Sequence, residues 1–92
     1  MEILWTQLAN QDRQKIREYI AEHNLRAAIE LDELIGMRVA SLLDQPLKAR
    51  NGRVAGTREL VIHAHFILVY RIEHETENIV IIRILHTAQK WP

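Results

Sequence analysis

The sequence contains no cysteine, only three glycines and two prolines, and 5% aromatic residues. Without cysteine, disulfide bonds, thiolate metal sites and a cysteine nucleophile are excluded, and the chain fits a cytoplasmic protein. No stretch reaches the roughly 18 consecutive apolar residues of a membrane span. The N-terminus lacks the basic region and apolar run of a signal peptide. Hydrophobic residues make up 48% of the 92, which indicates one folded domain spanning residues 1–92.

The net charge is zero, but the charges are unevenly distributed along the chain. Residues 1–46 carry five Lys/Arg against eight Asp/Glu, and residues 47–92 carry seven against four, so the halves are −3 and +3. The stretch KARNGRVAGTR, residues 48–58, is basic and contains no acid. It is either a solvated loop or a surface for an acidic partner or for phosphates. Overall neutrality argues against strong nonspecific binding of nucleic acid.

Helical patterns occupy the first half of the chain. ILWT, residues 3–6, is short, apolar and typical of a first strand. Residues 10–44 then show apolar residues at steps of three and four, interrupted near Asn24, which is a good N-cap for a second helix. Pro46 ends this second pattern. We therefore expect a helical hairpin over residues 10–44.

Strand patterns occupy the second half. Residues 47–56 read as a loop, and three apolar stretches follow with short links, which favour antiparallel neighbours. The expected fold class is α+β, with an N-terminal strand and a helical hairpin packed on one face of an antiparallel sheet. The expected strands of the meander are 57–62, 66–72 and 78–85.

The last strand is aliphatic on both faces. Strict alternation places Ile79, Ile81, Arg83 and Leu85 on one face and Val80, Ile82, Ile84 and His86 on the other. One face is expected to pack on the helices. The other is expected to meet a partner or to be partly exposed, because a large apolar patch usually marks a binding surface.

Arg83 is the unusual residue of this strand, because a charge among aliphatic side chains is costly unless it is paired or reaches water. Glu59 and Glu73 on neighbouring strands are its expected partners. Alternatively, the arginine faces a groove and contacts a partner or a phosphate. Arg71 has the same two interpretations. If the strand register puts Arg71 and Arg83 on one face, they form a basic pair.

Several other side chains admit both a structural and a functional interpretation. His86 is either a polar strand end that bonds a backbone carbonyl or a general acid or base. His63 and His65 form a weak metal-site candidate, since no third ligand lies nearby. Arg58, beside Gly56, is either a surface arginine or a contact to phosphate or a partner. Trp5 and Trp91 are expected to pack rather than to form a stacking platform.

The second half of the chain also resembles a known family. GRVAGTRELVIHAHFILVYRIE, residues 52–73, followed by IVIIRILHTAQKWP, residues 79–92, is similar to the RelE/ParE superfamily of toxins from type II toxin–antitoxin systems. The likeness is greatest to the ParE-type, plasmid-stabilisation branch. The order of the N-terminal strand and helical hairpin extends the resemblance over the whole chain.

The resemblance implies a partner and a biology. The partner is a cognate antitoxin that masks the toxin in a hetero-oligomer, and the outcome is growth arrest when the antitoxin is degraded. No cofactor, metal or membrane is implied. ParE-like members poison DNA gyrase, whereas RelE- and YafQ-like members cleave mRNA on the ribosome. A homologue that has lost toxicity and only binds its antitoxin is a third possibility.

Individual positions favour the gyrase branch. The arginines of the RelE type match Ile67 and the region of residues 88–89, which carry no fixed positive charge. The C-terminal histidine of the YafQ type matches His86, but its aspartate, tryptophan and strand histidine fall on His65, Phe66 and Val61. We therefore expect His86 to be catalytic only in a nuclease. The expected partner-binding residues are Arg58, Arg71, Arg83, His65 and Trp91.

Overall fold

The computed structural model describes residues 1–89 and 91. Its elements follow the expected order, with one short strand added inside the segment that was expected to be a loop. They are β1 (Glu2–Trp5), α1 (Gln7–Ala21), α2 (Leu25–Ser41), β2 (Arg50–Asn51), β3 (Arg58–His63), β4 (Phe66–Glu73) and β5 (Asn78–His86).

Five strands form one sheet in the order β1-β5-β4-β3-β2. Strands β3, β4 and β5 make the expected antiparallel meander. Strand β1 runs parallel to β5, with Glu2 opposite Asn78 and Trp5 opposite Ile81, so the sheet is mixed. A parallel neighbour is possible because the chain from α1 to β4 lies between β1 and β5, which gives the long connection that such a pair needs. The predicted α+β fold class is confirmed.

Side-chain caps determine where the helices begin. The hydroxyl of Thr6 accepts the Ala9 N–H at 3.1 Å, so α1 starts three residues earlier than its apolar pattern indicated. The side-chain oxygen of Asn24 accepts the Ala27 N–H at 3.0 Å, which confirms the predicted N-cap of α2. Each cap satisfies one of the backbone donors that a helix leaves unpaired at its start.

The main core lies between the helices and the sheet. Its largest fully buried side chains include Tyr70, Ile35, Leu42 and Ile81. The Tyr70 hydroxyl donates to the Pro46 carbonyl at 2.6 Å, which ties the connection after α2 to the sheet. Burial raises the pKa of the Tyr70 phenol, because a charged phenolate would be poorly solvated there.

The strict alternation expected for β5 is broken by a bulge. Val69 faces Arg83 and Tyr70 faces Ile81, so Ile82 has no partner in β4. The extra residue reverses the faces beyond it. As a result Ile84 joins the main core and Leu85 lies on the outer face, the opposite of the prediction.

The outer face of the sheet is partly exposed, as one of the two expectations had it, because Val61, opposite Ile67, is 48% exposed. Ile67, Val69 and Leu85 are 8%, 0% and 2% exposed and form a second cluster, against which Ile82 and Trp91 pack. Trp91 therefore covers part of this face. Trp91 packs as expected, and no helix among residues 1–89 is long and apolar enough to cross a membrane.

A branched ion pair holds the two helices together. Arg13 Nε lies 2.8 Å from Asp32 Oδ1, and Arg17 Nη1 lies 3.2 Å from the same oxygen. Hydrogen bonding to Arg13 is the largest cause of a lowered pKa for the Asp32 carboxyl. The charged form of Asp32 is thus favoured in the folded state.

The pH dependence of stability should report this pair. In the unfolded chain Asp32 has an ordinary pKa near 3.8, and its folded pKa is lower. The stabilisation is therefore present above the unfolded pKa and is lost as the pH falls through the folded pKa. We expect Asp32→Asn to be less stable than wild type at neutral pH, with the difference shrinking below about pH 4. Urea unfolding at several pH values measures it.

The matched control is Glu33→Gln, which removes an exposed carboxylate next in sequence. Its effect should be small at every pH. A difference for Asp32→Asn that stays constant down to strongly acidic pH would contradict the assignment to ionisation.

Candidate functional site

An open groove of about 350 Å³ lies where α1 crosses the end of β5, and we call it the α1–β5 groove. Helix α1 and the end of β5 supply most of the lining, to which β4 adds Phe66. Polar groups from α1 and β5 meet apolar ones here. The lining residues that carry charge or an aromatic ring are Asp12, Lys15, Tyr19, Phe66, Arg83 and His86.

Asp12 is the partner of Arg83, which corrects the expectation of Glu59 or Glu73. Arg83 Nε and Nη2 donate to the two Asp12 oxygens at 2.7 and 3.0 Å. This bidentate geometry raises the pKa of the Arg83 guanidinium, chiefly through the hydrogen bond to Asp12. Arg83 is therefore bound to α1, and two of its three guanidinium nitrogens already donate to Asp12.

The edge of β5 explains why a helix supplies this partner. β1 pairs with β5 only as far as Trp5, opposite Ile81. Thr6 continues the pairing, with its N–H donating to the Ile81 carbonyl and its hydroxyl to the Ile82 carbonyl. Asp12 then accepts the Ile84 N–H at 3.0 Å. The side chains of Thr6, which caps α1, and of Asp12, within α1, thus satisfy backbone groups that β1 is too short to reach.

The two carboxylates expected for Arg83 have other partners. Glu73 accepts from Arg71 at 2.6 Å, and this hydrogen bond is the main cause of a lowered pKa for the Glu73 carboxyl. Glu59 is 4% exposed and accepts from Arg50 at 3.2 Å. Arg71 and Arg83 are each bound to their own carboxylate, so the basic pair considered from the sequence does not form.

His86 bonds to the tail that follows it. Its backbone N–H donates to Gln89 Oε1 at 2.7 Å, and its ring Nδ1 accepts the Ala88 N–H at 3.0 Å. The neutral ring therefore carries its proton on Nε2. The structural interpretation predicted a hydrogen bond from the His86 ring to a backbone carbonyl. Instead, the ring accepts a hydrogen bond from the Ala88 N–H.

The sheet register brings His65 and His86 together. Phe66 is opposite His86, and the His65 and His86 rings are parallel with centroids 5.7 Å apart. Phe66 meets His86 edge-on at 5.5 Å. Sequence reasoning treated these residues separately, and only the pairing of β4 with β5 could have joined them. No group of three or more potential metal ligands occurs in the described residues.

A second groove of about 420 Å³ lies on the other side of Phe66, between the helical hairpin and the β3–β4 turn. We call it the hairpin groove. Its walls are mostly apolar, with Leu31 and Leu34 of α2 facing His63 and His65. The two grooves share Phe66, so the stacked histidines lie between them.

The sequence did not single out Lys15, Tyr19 or Phe66 as site residues. The helical spacing of Tyr19 with Ile16 and Ile20 predicts a buried side chain, but 68% of Tyr19 is exposed at the α1–β5 groove. Its ring meets His23 edge-on at 5.9 Å. The signal that the sequence offered for Tyr19 was its helical spacing, which indicates packing in the core rather than a position in a site.

The remaining candidates lie elsewhere. Arg58 Nη1 donates to the carbonyls of Ala49 at 2.9 Å and Leu47 at 3.3 Å, so part of its guanidinium holds the chain that precedes β2. Trp91 lies against the outer-face cluster. The predicted partner-binding residues therefore occupy several surfaces rather than one.

The family model for the ParE toxin of the type II toxin–antitoxin system parDE matches residues 3–91. The chain belongs to the ParE toxin family. This ParE-family protein is therefore a toxin of a type II toxin–antitoxin system. A relative named as a toxin, Y4kP of Sinorhizobium fredii, is 35% identical over 91 residues, covering 98% of this chain and 92% of that protein.

Solved structures share the fold of this toxin. The chromosomal ParDE system of P. aeruginosa matches with a TM-score of 0.80 at 22% identity, covering 94% of this chain and 95% of that one. The RelBE2 complex of Mycobacterium tuberculosis matches with a TM-score of 0.60 at 26% identity, covering 92% of this chain and 95% of that one. YafQ of E. coli matches with a TM-score of 0.67 at 14% identity, covering 94% of this chain and 92% of that one.

Removing Asp12 should weaken this ParE-family fold at the edge of β5. Asp12→Ala leaves the Arg83 guanidinium and the Ile84 N–H without their acceptor in a half-buried setting. We expect a loss of about 2–4 kcal/mol in the free energy of unfolding, because both groups keep their desolvation cost. Chemical denaturation measures it. Asp44→Ala, at an exposed position, is the matched control and should change stability little. An equal effect in both variants would contradict the role given to Asp12.

Proposed function

We propose that the protein arrests growth by poisoning DNA gyrase in the cytoplasm, with residues 1–92 acting as one toxin domain. The ParE-type resemblance implies this target. The observation that supports the proposal is the bidentate ion pair between Arg83 and Asp12 in the α1–β5 groove. That pairing leaves no free arginine or carboxylate in the described lining of the groove for a ribonuclease to use.

A ribosome-dependent nuclease must activate a 2′-hydroxyl, stabilise a highly charged transition state and protonate a leaving oxygen. Among the described residues, the groove lining offers His86 as an acid–base group and Lys15 as a cation outside any ion pair. Neither an arginine nor a carboxylate is free there. A protein–protein mechanism makes no such demand, which is why we place gyrase first.

The nuclease remains the second candidate because of one observation. The His86 ring stacks on His65 and meets Phe66 edge-on, in the groove that the exposed Lys15 also lines. Two imidazoles and an aromatic face are groups that can exchange protons and stack on an unpaired base. On this alternative, His86 is the acid–base residue.

We further propose a cognate antitoxin as the partner that masks the toxin in a hetero-oligomer. The mostly apolar hairpin groove, with His65 at its edge, supports a docking surface for an antitoxin segment. Arg58, Arg71, Arg83 and Trp91 stay candidates for partner contacts. Of these, Arg83 and Arg71 already hold carboxylates that a partner would have to displace.

The deciding experiment is plasmid supercoiling by purified gyrase, with the toxin freed from its antitoxin. We expect inhibition together with trapped, cleaved DNA. His86→Ala should inhibit to within about two-fold of wild type, because no chemical step depends on the ring. Thr87→Ala, an exposed substitution next to it, controls for disturbance of the tail.

The opposite outcome is equally specific. Folded wild-type toxin that leaves gyrase unaffected, but cleaves mRNA on ribosomes and loses cleavage in His86→Ala, would establish the nuclease. Protein that does neither, and yet binds its antitoxin, would be the non-toxic homologue.

A further inference from the structure

A third cavity, of about 440 Å³, lies away from both grooves, between the chain of residues 51–57 and the start of the β4–β5 turn. We call it the loop cavity. It is open to solvent and largely polar. The residues that supply its polar and backbone groups are Asn51, Gly52, Gly56, Thr57, Arg58 and His74.

We propose that the loop cavity binds a phosphate group, either as a free anion or as part of a nucleic-acid backbone. This inference does not depend on the target proposed above. It would hold for a toxin that acts on gyrase, on the ribosome or on neither.

The charge around the cavity favours an anion. Its described lining includes Arg58 and His74 but no carboxylate. The nearby acid, Glu59, is 4% exposed and is held by the Arg50 guanidinium at 3.2 Å and the Arg53 N–H at 3.1 Å. The Glu59 side chain is therefore buried and already bound to donors of its own. A cavity whose described lining holds an arginine and no carboxylate concentrates anions.

Arg58 is oriented in advance. Its Nη1 is fixed by the carbonyls of Ala49 and Leu47. Its Nε and Nη2 have no acceptor among residues 1–89 and 91. A guanidinium held by one nitrogen with others free presents the planar fork that suits phosphate oxygens. The side chains of Asn51 and His74 add further possible donors at the same cavity.

The loop backbone is also fixed in advance. The Val54 carbonyl accepts from the Thr57 N–H at 3.1 Å and from its hydroxyl at 2.7 Å. Gly56, between Val54 and Thr57, has a φ of +83°, a conformation that favours glycine. A Cβ at Gly52 would collide with the Thr57 hydroxyl. The wall therefore needs little ordering when a ligand binds, which lowers the cost of binding.

Acidic residues of the β4–β5 turn do not enter the cavity. Glu73 is bound to Arg71, and Glu75 and Glu77 are exposed and outside the lining. They reduce the attraction of distant anions without blocking contact. Binding should consequently weaken as salt rises, in the manner of phosphate contacts generally.

The test places a negative charge inside the cavity with almost no change of shape. Asn51→Asp does this at an exposed position of β2, and Asn10→Asp makes the same change of charge on exposed α1. The probes are inorganic phosphate and a short DNA duplex of mixed sequence. Amide chemical shifts from NMR titrations of the full chain locate and quantify binding.

We expect both probes, or one of them, to shift the amides of Gly52, Gly56 and Thr57. Affinity should fall about ten-fold or more in Asn51→Asp, because the new carboxylate repels the phosphate. Asn10→Asp should stay close to wild type. Tighter binding of the duplex assigns the site to a nucleic-acid backbone, and tighter binding of phosphate assigns it to a free anion.

A second pair of variants guards against a local folding defect. His74→Ala removes a lining imidazole, and His23→Ala removes an exposed one from the helical hairpin. Only His74→Ala should weaken binding. Absence of shifts at the loop with both probes, or equal losses in Asn51→Asp and Asn10→Asp, would overturn the proposal.

Discussion

The carboxylate of Asp12 is the contact on which the arrangement of helix and sheet depends. β1 covers only the first part of β5, and a strand edge without a neighbour leaves backbone donors unpaired. Asp12 accepts a hydrogen bond from one of these donors, the Ile84 N–H. Both of its oxygens also accept hydrogen bonds from the Arg83 guanidinium. One side chain on α1 thus completes the edge of the sheet and fixes the helix against it, which determines where the α1–β5 groove lies.

The same contact limits the chemistry of that groove. A guanidinium bound to a carboxylate at both ends of its fork is a poor stabiliser of a new negative charge, because the existing bond must first be lost. The bulge at Ile82 adds a second effect by turning Ile84 and His86 toward the helices. Stacked His65 and His86 then lie between two grooves, one lined with charge and one mostly apolar.

Arg58 shows the opposite arrangement at the loop cavity. Its guanidinium is anchored by neutral backbone carbonyls, so its charge is positioned without being cancelled. Arg83 and Arg71, by contrast, are matched by carboxylates. Arginines that looked equivalent in the sequence therefore differ in what they can offer to a ligand, and the difference comes from the partners that each one meets in the fold.

The sequence by itself determined the order of elements, the Asn24 cap, the antiparallel meander and the α+β class, because these follow from local periodicity, caps and short links. It also carried the resemblance to the ParE branch. Only the tertiary structure decided the parallel pairing of β1, the faces of Ile84 and Leu85, and the Asp12 partner of Arg83. A bulge resets alternation by one residue, and a contact between residues 12 and 83 depends on how the helical hairpin crosses the sheet, which no local pattern records.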